Sequence, residues 1–79
     1  MTIDKNEAFR RSIGCRVREM RKAKKMTQKQ VGKVIGCSAQ NVSGIEKGHY
    51  TGTRNLFALA KLFGVSVDSI LNGDPDHAA

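Results

Sequence analysis

The sequence has few of the residues that stabilise small proteins through covalent or metal bonds. Cys15 and Cys37 are its two cysteines, and they form no CxxC pair and have no histidine at zinc-finger spacing. A disulfide framework and a structural zinc site are therefore excluded, and we expect both cysteines to be buried, reduced thiols. Tryptophan is absent, proline occurs once, and the aromatic residues are Phe9, Tyr50, Phe57 and Phe63.

Long apolar runs and clustered acidic residues are also lacking. The segment from Met1 to Arg11 has no continuous apolar stretch, so we expect no signal peptide, no membrane span and a cytoplasmic location. The seven Asp and Glu residues form no tight pair in sequence, and His49 and His77 lack metal-ligand spacing. We therefore expect no catalytic residues, no metal site, no cofactor and no enzymatic activity.

Positive charge is what the chain has in excess. Lys and Arg number 14 against seven Asp and Glu, giving a net charge of +7 over 79 residues. The excess lies in residues 1 to 50, because residues 51 to 79 hold two basic and three acidic groups. A positive field on part of a small domain indicates an anionic partner, of which nucleic acid is the commonest. The length suits one domain covering residues 1–79.

Glycines divide the chain into about five segments with helical spacing of apolar residues. The first segment runs from near Asp4 to Lys24, with Asp4 and Glu7 as a possible capping box. The second opens at Thr27, whose spacing to Gln30 also fits a capping box, and stops at Gly36. The predicted inward positions of these two helices are Phe9, Ile13, Val17, Met20, Val31, Val34 and Ile35.

The third segment has an unusual outer face. It begins at Ser38, a good N-cap residue, and runs to about Lys47, with Val42 and Ile45 facing inward. A solvent face in so basic a protein ordinarily carries Lys and Glu. The outward residues are instead small or amide-bearing and uncharged: Ala39, Gln40, Asn41, Ser43 and Gly44.

Two further short helices complete the predicted domain. Thr53 is expected to cap a fourth helix that ends at Gly64, and Ser66 a final turn that ends at Gly73 and Pro75. The core is expected over about 5–73, with residues 1–4 and 74–79 flexible. The predicted inward residues are Leu56, Leu59, Ala60, Phe63, Val67, Ile70 and Leu71.

The segment QKQVGKVIGCSAQNVSGIEK, Gln28 to Lys47, resembles the helix-turn-helix of the lambda Cro and cI repressor superfamily, the Xre family. The resemblance extends over RVREMRKAKKMTQ before it and NLFALAKLFGVSVDSILNGD after it. It implies an all-α, compact five-helix, lambda-repressor-like DNA-binding domain. The second and third helices nearly touch in such a motif, so Gly32, where the family usually has Ala, must be small, and Gly36 must be left-handed.

The resemblance also implies how DNA is bound. The third helix enters the major groove, and Gln40 is the best base-reading candidate, because a glutamine amide pairs with adenine N6 and N7. Gly44 falls where relatives often place a base-contacting side chain. The expected base-reading set is Ser38, Ala39, Gln40, Asn41, Ser43 and Gly44, and the expected phosphate contacts are Gln28, Lys47, His49 and Arg54.

Two structural expectations accompany this assignment. By resemblance, Arg21 and Glu46 form an ion pair that clamps the first helix to the end of the recognition helix, which makes Glu46 structural. Val67, Ile70 and Leu71 offer more apolar surface than one short turn needs, so part of it is a possible dimer seam, although complete burial within the monomer is equally compatible with the sequence.

The leading hypothesis is a sequence-specific transcriptional repressor that binds a two-fold DNA operator as a homodimer. The alternative is an antitoxin or controller-type module that binds a partner protein and regulates its own promoter.

Overall fold

Five helices and no strand make up the part of the chain that the structure, a computed structural model, describes: residues 5–49 and 51–73. This confirms the all-α, five-helix prediction. The helices are α1 (Lys5–Ala23), α2 (Gln28–Ile35), α3 (Ala39–Glu46), α4 (Thr53–Phe63) and α5 (Val67–Asn72). The predicted capping box at Asp4 and the predicted flexible ends, 1–4 and 74–79, lie outside the described residues.

One apolar core joins all five helices. Leu56 and Phe63 are half-buried at its edge. In α1, α2 and α3 the buried apolar residues are three or four apart, the spacing that predicts a buried helical stripe. The buried apolar residues are Ile13, Val17, Val31, Ile35, Val42, Ile45, Leu59, Ala60 and Ile70.

Three predicted buried residues are in fact exposed. Phe9 is 46% exposed, because α1 is about 28 Å long at 1.5 Å per residue and its first turns run past the core. Val34 is 60% exposed, since it lies at the flank of the buried stripe of α2, on the side of Val31 that faces away from Gly32 and Ile35. Cys15 is exposed because it lies two residues from both Ile13 and Val17 and therefore on the opposite side of α1.

Local hydrogen bonds define the α2–α3 turn. The Thr27 hydroxyl accepts from the Gln30 backbone N–H at 3.0 Å, and the Gln30 side chain accepts from the Thr27 N–H at 2.8 Å. This confirms the predicted capping box. Gly36 has φ +84°, and its N–H donates to the Gly32 carbonyl at 2.8 Å. The Ser38 hydroxyl then caps α3 by accepting from Asn41 N–H at 3.0 Å.

Two glycines let α3 approach its neighbours closely. A Cβ placed on Gly32 would lie 2.5 Å from the carbonyl oxygen of Cys37, so in this chain even alanine would force the turn to shift. A Cβ on Gly14 would press on the backbone at the end of α3, lying 2.6 Å from the Glu46 carbonyl oxygen. These contacts involve backbone atoms, which cannot rotate away, so a methyl group at either position would displace the neighbouring backbone.

A largely buried ion pair fastens α1 to α3. Arg21 Nε donates to Glu46 Oε2 at 2.6 Å and Arg21 Nη2 to Glu46 Oε1 at 3.1 Å. The side chains are 13% and 4% exposed, and Arg21 Nη1 also donates to the Met26 carbonyl at 2.9 Å. The Gln28 side chain donates to the same carboxylate at 3.2 Å. One carboxylate thereby links α1, α2 and α3.

Two further arginines of α1 hold the remaining elements. Arg10 Nε donates to the Gly48 carbonyl at 3.1 Å, which fixes the loop after α3. Arg16 Nη1 donates to the carbonyls of Ile70 and Leu71 at 3.1 and 2.9 Å, and so satisfies the end of α5.

The predicted cap of α4 is wrong by one residue. Gly52 is the N-cap and Thr53 the first helical residue, because the extended backbone precedes Thr53.

We expect Gly14→Ala to destabilise the domain by about 1–3 kcal/mol, because the new methyl group has no room against the α3 backbone. Alanine ordinarily stabilises a helix interior relative to glycine, so the loss would be specific to this contact. Urea unfolding followed by circular dichroism measures it. Cys15→Ala, at the exposed neighbouring position, is the control and is expected to be nearly neutral. A Gly14→Ala protein as stable as this control would contradict the close packing.

We expect Arg21→Met to lower the unfolding free energy by about 3–5 kcal/mol, since it leaves the Glu46 carboxylate buried without its cation. The matched control is Arg11→Met, which breaks the exposed pair with Glu7 at 3.4 Å and is expected to cost less than about 1 kcal/mol. The double variant Arg21→Met, Glu46→Leu is expected to recover most of the loss. Equal losses for the two single variants would show that burial of the pair is immaterial.

Candidate nucleic-acid interface

The outer face of α3 is built on two buried anchors. Val42 and Ile45 fix α3 in the core, which turns the remaining side chains of its first turns outward. Ser38, Gln40 and Asn41 are exposed, whereas Ala39, Ser43 and Gly44 are half-buried. The structure thus brings the six residues predicted to read bases onto or beside one short helix.

This face can form hydrogen bonds without carrying charge. Gln40 and Asn41 present amides, each with donors and an acceptor, and the Ser38 oxygen is already engaged as a cap. Residues 38–44 hold no charged side chain. Such a surface suits a partner whose pattern of donors and acceptors must be matched group by group.

A cleft of about 240 Å³ borders the face where α1, the start of α2 and the end of α3 meet. Arg18 and Lys47 bring positive charge to it, while Arg21 and Glu46 form the ion pair at its wall. Arg18 was not among the predicted site residues, since nothing in the sequence separates it from the other arginines of α1. The lining residues are Arg18, Arg21, Gln28, Ser43, Glu46 and Lys47.

The ion pair decides the charge of this region. Glu46 is the one acidic residue between Met20 and Val67, and its carboxylate is bound by Arg21 on both oxygens. Hydrogen bonding to Glu46 raises the pKa of Arg21 above its ordinary value, while burial opposes the rise. The raised pKa keeps the Arg21 guanidinium charged at neutral pH, where it remains bound to the Glu46 side chain. The surrounding lysines and arginines therefore act as unneutralised charge near neutral pH.

Gln28, a predicted phosphate contact, is the first residue of α2 and is half-buried. One amide hydrogen is used on Glu46 at 3.2 Å. The amide also has a second hydrogen and an acceptor oxygen. The bond to Glu46 orients the amide along the wall of the cleft.

The other predicted phosphate contacts follow α3. Lys47 is the C-cap of α3 and is exposed, as are His49 in the loop and Arg54 in the first turn of α4. Among the described residues, no side chain caps the N-terminus of α4, whose N-cap is Gly52. The first N–H groups of α4 therefore have no side-chain acceptor at the N-cap, and Arg54 lies in the same turn. Such a helix N-terminus favours an anion.

The three residues of the possible dimer seam differ in burial. Ile70 is completely buried in the core of the single chain, so it has no surface to offer a partner. Val67 and Leu71 are half-buried. Leu71 lines an apolar groove of about 210 Å³ with Phe9, Ile13 and Leu56.

Neither cysteine belongs to this interface. Both are free thiols, Cys15 exposed and Cys37 half-buried, and burial raises the pKa of the Cys37 thiol. Over residues 5–49 and 51–73, no three His, Cys, Asp or Glu side chains lie together as metal ligands would. In the same residues, no helix is both long and apolar enough to cross a bilayer.

Comparison with known proteins places this arrangement in a family. A family model described as helix-turn-helix matches residues 17–70. The HTH-type transcriptional regulator DicA of Escherichia coli K12 is 42% identical over 66 residues, which cover 82% of this chain and 49% of DicA. The chain thus spans about half the length of that relative. An uncharacterised HTH-type transcriptional regulator of Methanocaldococcus jannaschii, MJ0272, is 38% identical over 53 residues, covering 66% of this chain and 80% of that protein.

A solved structure shares the fold. The P22 c2 repressor, crystallised with synthetic operator 9T in the presence of Tl⁺, superposes with a TM-score of 0.75 at 36% identity, covering 78% of this chain and 96% of that chain. Its likeness supports the lambda-repressor-like arrangement of the five helices. From the family match over residues 17–70, the relatives and the shared fold, the chain belongs to the Cro/C1-type helix-turn-helix family.

Proposed function

We propose that this protein is a sequence-specific transcriptional repressor that binds a two-fold operator in double-stranded DNA as a homodimer. The observation that carries the proposal is the uncharged outer face of α3, bordered by a positively charged cleft and loop. An α-helix fits the major groove, where each base pair presents a distinct set of donors and acceptors. A regulator of this kind acts in the cytoplasm, on the DNA itself.

Base reading is assigned to the first turns of α3. Gln40 is exposed, and its amide has the two groups that pair with adenine N6 and N7. Ala39 offers a methyl group for contact with thymine, and Asn41 a second amide. The absence of charge favours discrimination, because a lysine or arginine at these positions would also attract any nearby phosphate.

Backbone binding is assigned to the groups around that face. Gln28, Lys47 and Arg54 lie at the start of α2, the end of α3 and the start of α4. Arg18 adds a charge in the cleft that Gln28 and Lys47 line. Contacts of this type set the position of a protein on the duplex and carry no sequence information themselves.

The dimer is assigned to the surface around α5. Val67 and Leu71 are half-buried, and the groove beside Leu71 continues to Phe9, which is 46% exposed. Burying such apolar surface between two copies stabilises a dimer. The names of the relatives agree with regulation: DicA is a transcriptional regulator, and the P22 c2 repressor was crystallised with an operator.

Selection of bound duplexes from a random pool tests this function. We expect the protein to enrich a two-fold motif with half-sites about one helical turn apart. Gln40→Ala is expected to relax at least one position in each half, because the bidentate pair that it removes contributes about 1–3 kcal/mol of discrimination.

The control is Arg54→Ala, which is expected to weaken binding evenly across sequences and to lower the salt slope by about 1. Enrichment of a motif without two-fold symmetry would contradict the dimer. Equal binding to every sequence, with a steep salt dependence, would contradict sequence-specific repression and indicate a nonspecific DNA-binding role.

A further inference from the structure

The reading face of α3 has a gap one turn beyond Gln40. Residues four apart lie on the same side of a helix, so the position in line with Gln40 is Gly44. Gly44 is half-buried although it has no side chain of its own to cover it. Another group must therefore lie over it.

The covering group is the side chain of His49. A Cβ built on Gly44 would lie 3.0 Å from His49 Nδ1, 3.6 Å from Cγ and 3.7 Å from Cβ. The imidazole thus occupies the space that a side chain at position 44 would fill. Its Nδ1 edge is turned toward Gly44, Nε2 lies farther from it, and the residue as a whole is exposed.

The backbone holds His49 in this position. Its N–H donates to the Gly44 carbonyl at 2.9 Å, which folds the chain back onto the last turn of α3. The reversal occurs at Gly48, where φ is +95° and a Cβ would lie 2.6 Å from Arg11 Cγ. Arg10 fixes the same residue by donating to its carbonyl at 3.1 Å. The imidazole is thus attached to a loop tied to both α1 and α3.

We propose that His49 is a specificity-determining residue of the reading face, which supplies from the loop the base contact that Gly44 cannot make. This inference rests on the proposed DNA-binding function. With Nδ1 turned toward Gly44, Nε2 is the ring nitrogen that can meet a base edge, and in the tautomer that carries the proton on Nε2 it donates a hydrogen bond there. The partner it fits is guanine, whose N7 and O6 are both acceptors in the major groove. The family resemblance had assigned His49 to a phosphate.

Position on the helix distinguishes the two roles. A phosphate contact lies at the border of the face, as Lys47 and Arg54 do. The His49 imidazole instead covers Gly44, which lies in line with Gln40 and four residues, about 6 Å, further along the axis. Successive base pairs are separated by about 3.4 Å. Gln40 and His49 are therefore spaced to contact bases one or two steps apart in the same half-site.

The test compares His49→Ala with wild type in duplex selection and in binding titrations at several salt concentrations. We expect His49→Ala to lose the preference for guanine at one position per half-site, next to the position that Gln40→Ala relaxes. The ratio of affinities for guanine and for the other bases at that position is expected to fall about fivefold or more, which is the range of a single good base contact. The salt slope is expected to stay at the wild-type value, because no phosphate contact is removed.

Two further variants separate reading from folding. His49→Gln keeps an N–H donor near the place of Nε2 and is expected to restore part of the guanine preference. Gly44→Ala brings a methyl group against Nδ1 and is expected to shift the imidazole and weaken the same preference. The double variant Gly44→Ala, His49→Ala is expected to lose no more guanine preference than His49→Ala alone. Alanine at position 44 acts by displacing the imidazole, which the double variant lacks.

Thermal unfolding of each variant verifies that the domain remains folded at the temperature of the assay. The inference would be overturned if wild type and His49→Ala selected the same motif and the variant had a smaller salt slope. That result would restore the phosphate role of His49. Additive effects of Gly44→Ala and His49→Ala would also overturn it. A wild-type protein that selects no motif would contradict the proposed function itself, which is a different result.

Discussion

The structure depends on the carboxylate of Glu46, buried at the junction of three helices. Arg21 binds both of its oxygens, and Gln28 binds one of them, so α1, the start of α2 and the end of α3 meet at a single charged group. Breaking such a pair leaves a buried charge without compensation, which is far more costly than the loss of an exposed pair. The pair therefore sets the orientation of α3, and it also cancels the one negative charge in the surface proposed to face DNA.

Close backbone contact is the second constraint. Gly14 and Gly32 have no room for a methyl group, the first against the end of α3 and the second against the turn before it. The two glycines bring α3 close to α1 and α2, while Val42 and Ile45 seal it from inside. Glycine weakens a helix interior by about 0.5–1 kcal/mol relative to alanine. In this domain the packing that it permits offsets that cost.

Local chemistry made much of the fold predictable from sequence. The capping box at Thr27, the left-handed glycine at position 36 and the caps at Ser38 and Ser66 depend on neighbouring residues alone, and all are present. Features set by tertiary packing were not predictable. Phe9 and Val34 fit an apolar stripe but extend beyond the surface that the other helices cover. The roles of Arg10, Arg16 and Arg18 depend on which helix lies opposite, and the place of His49 depends on the reversal at Gly48.

The central claim is that the uncharged face of α3 meets the bases while the charged groups around it hold the backbone. Backbone amide NMR, with a selected duplex titrated into the labelled protein, tests this most directly. The account predicts the largest shift changes at residues 38–44, at Gln28 and in the loop from Lys47 to Arg54, with α5 nearly unchanged at constant oligomeric state. Changes concentrated on α5 and the outer side of α1, with α3 unperturbed, would contradict it.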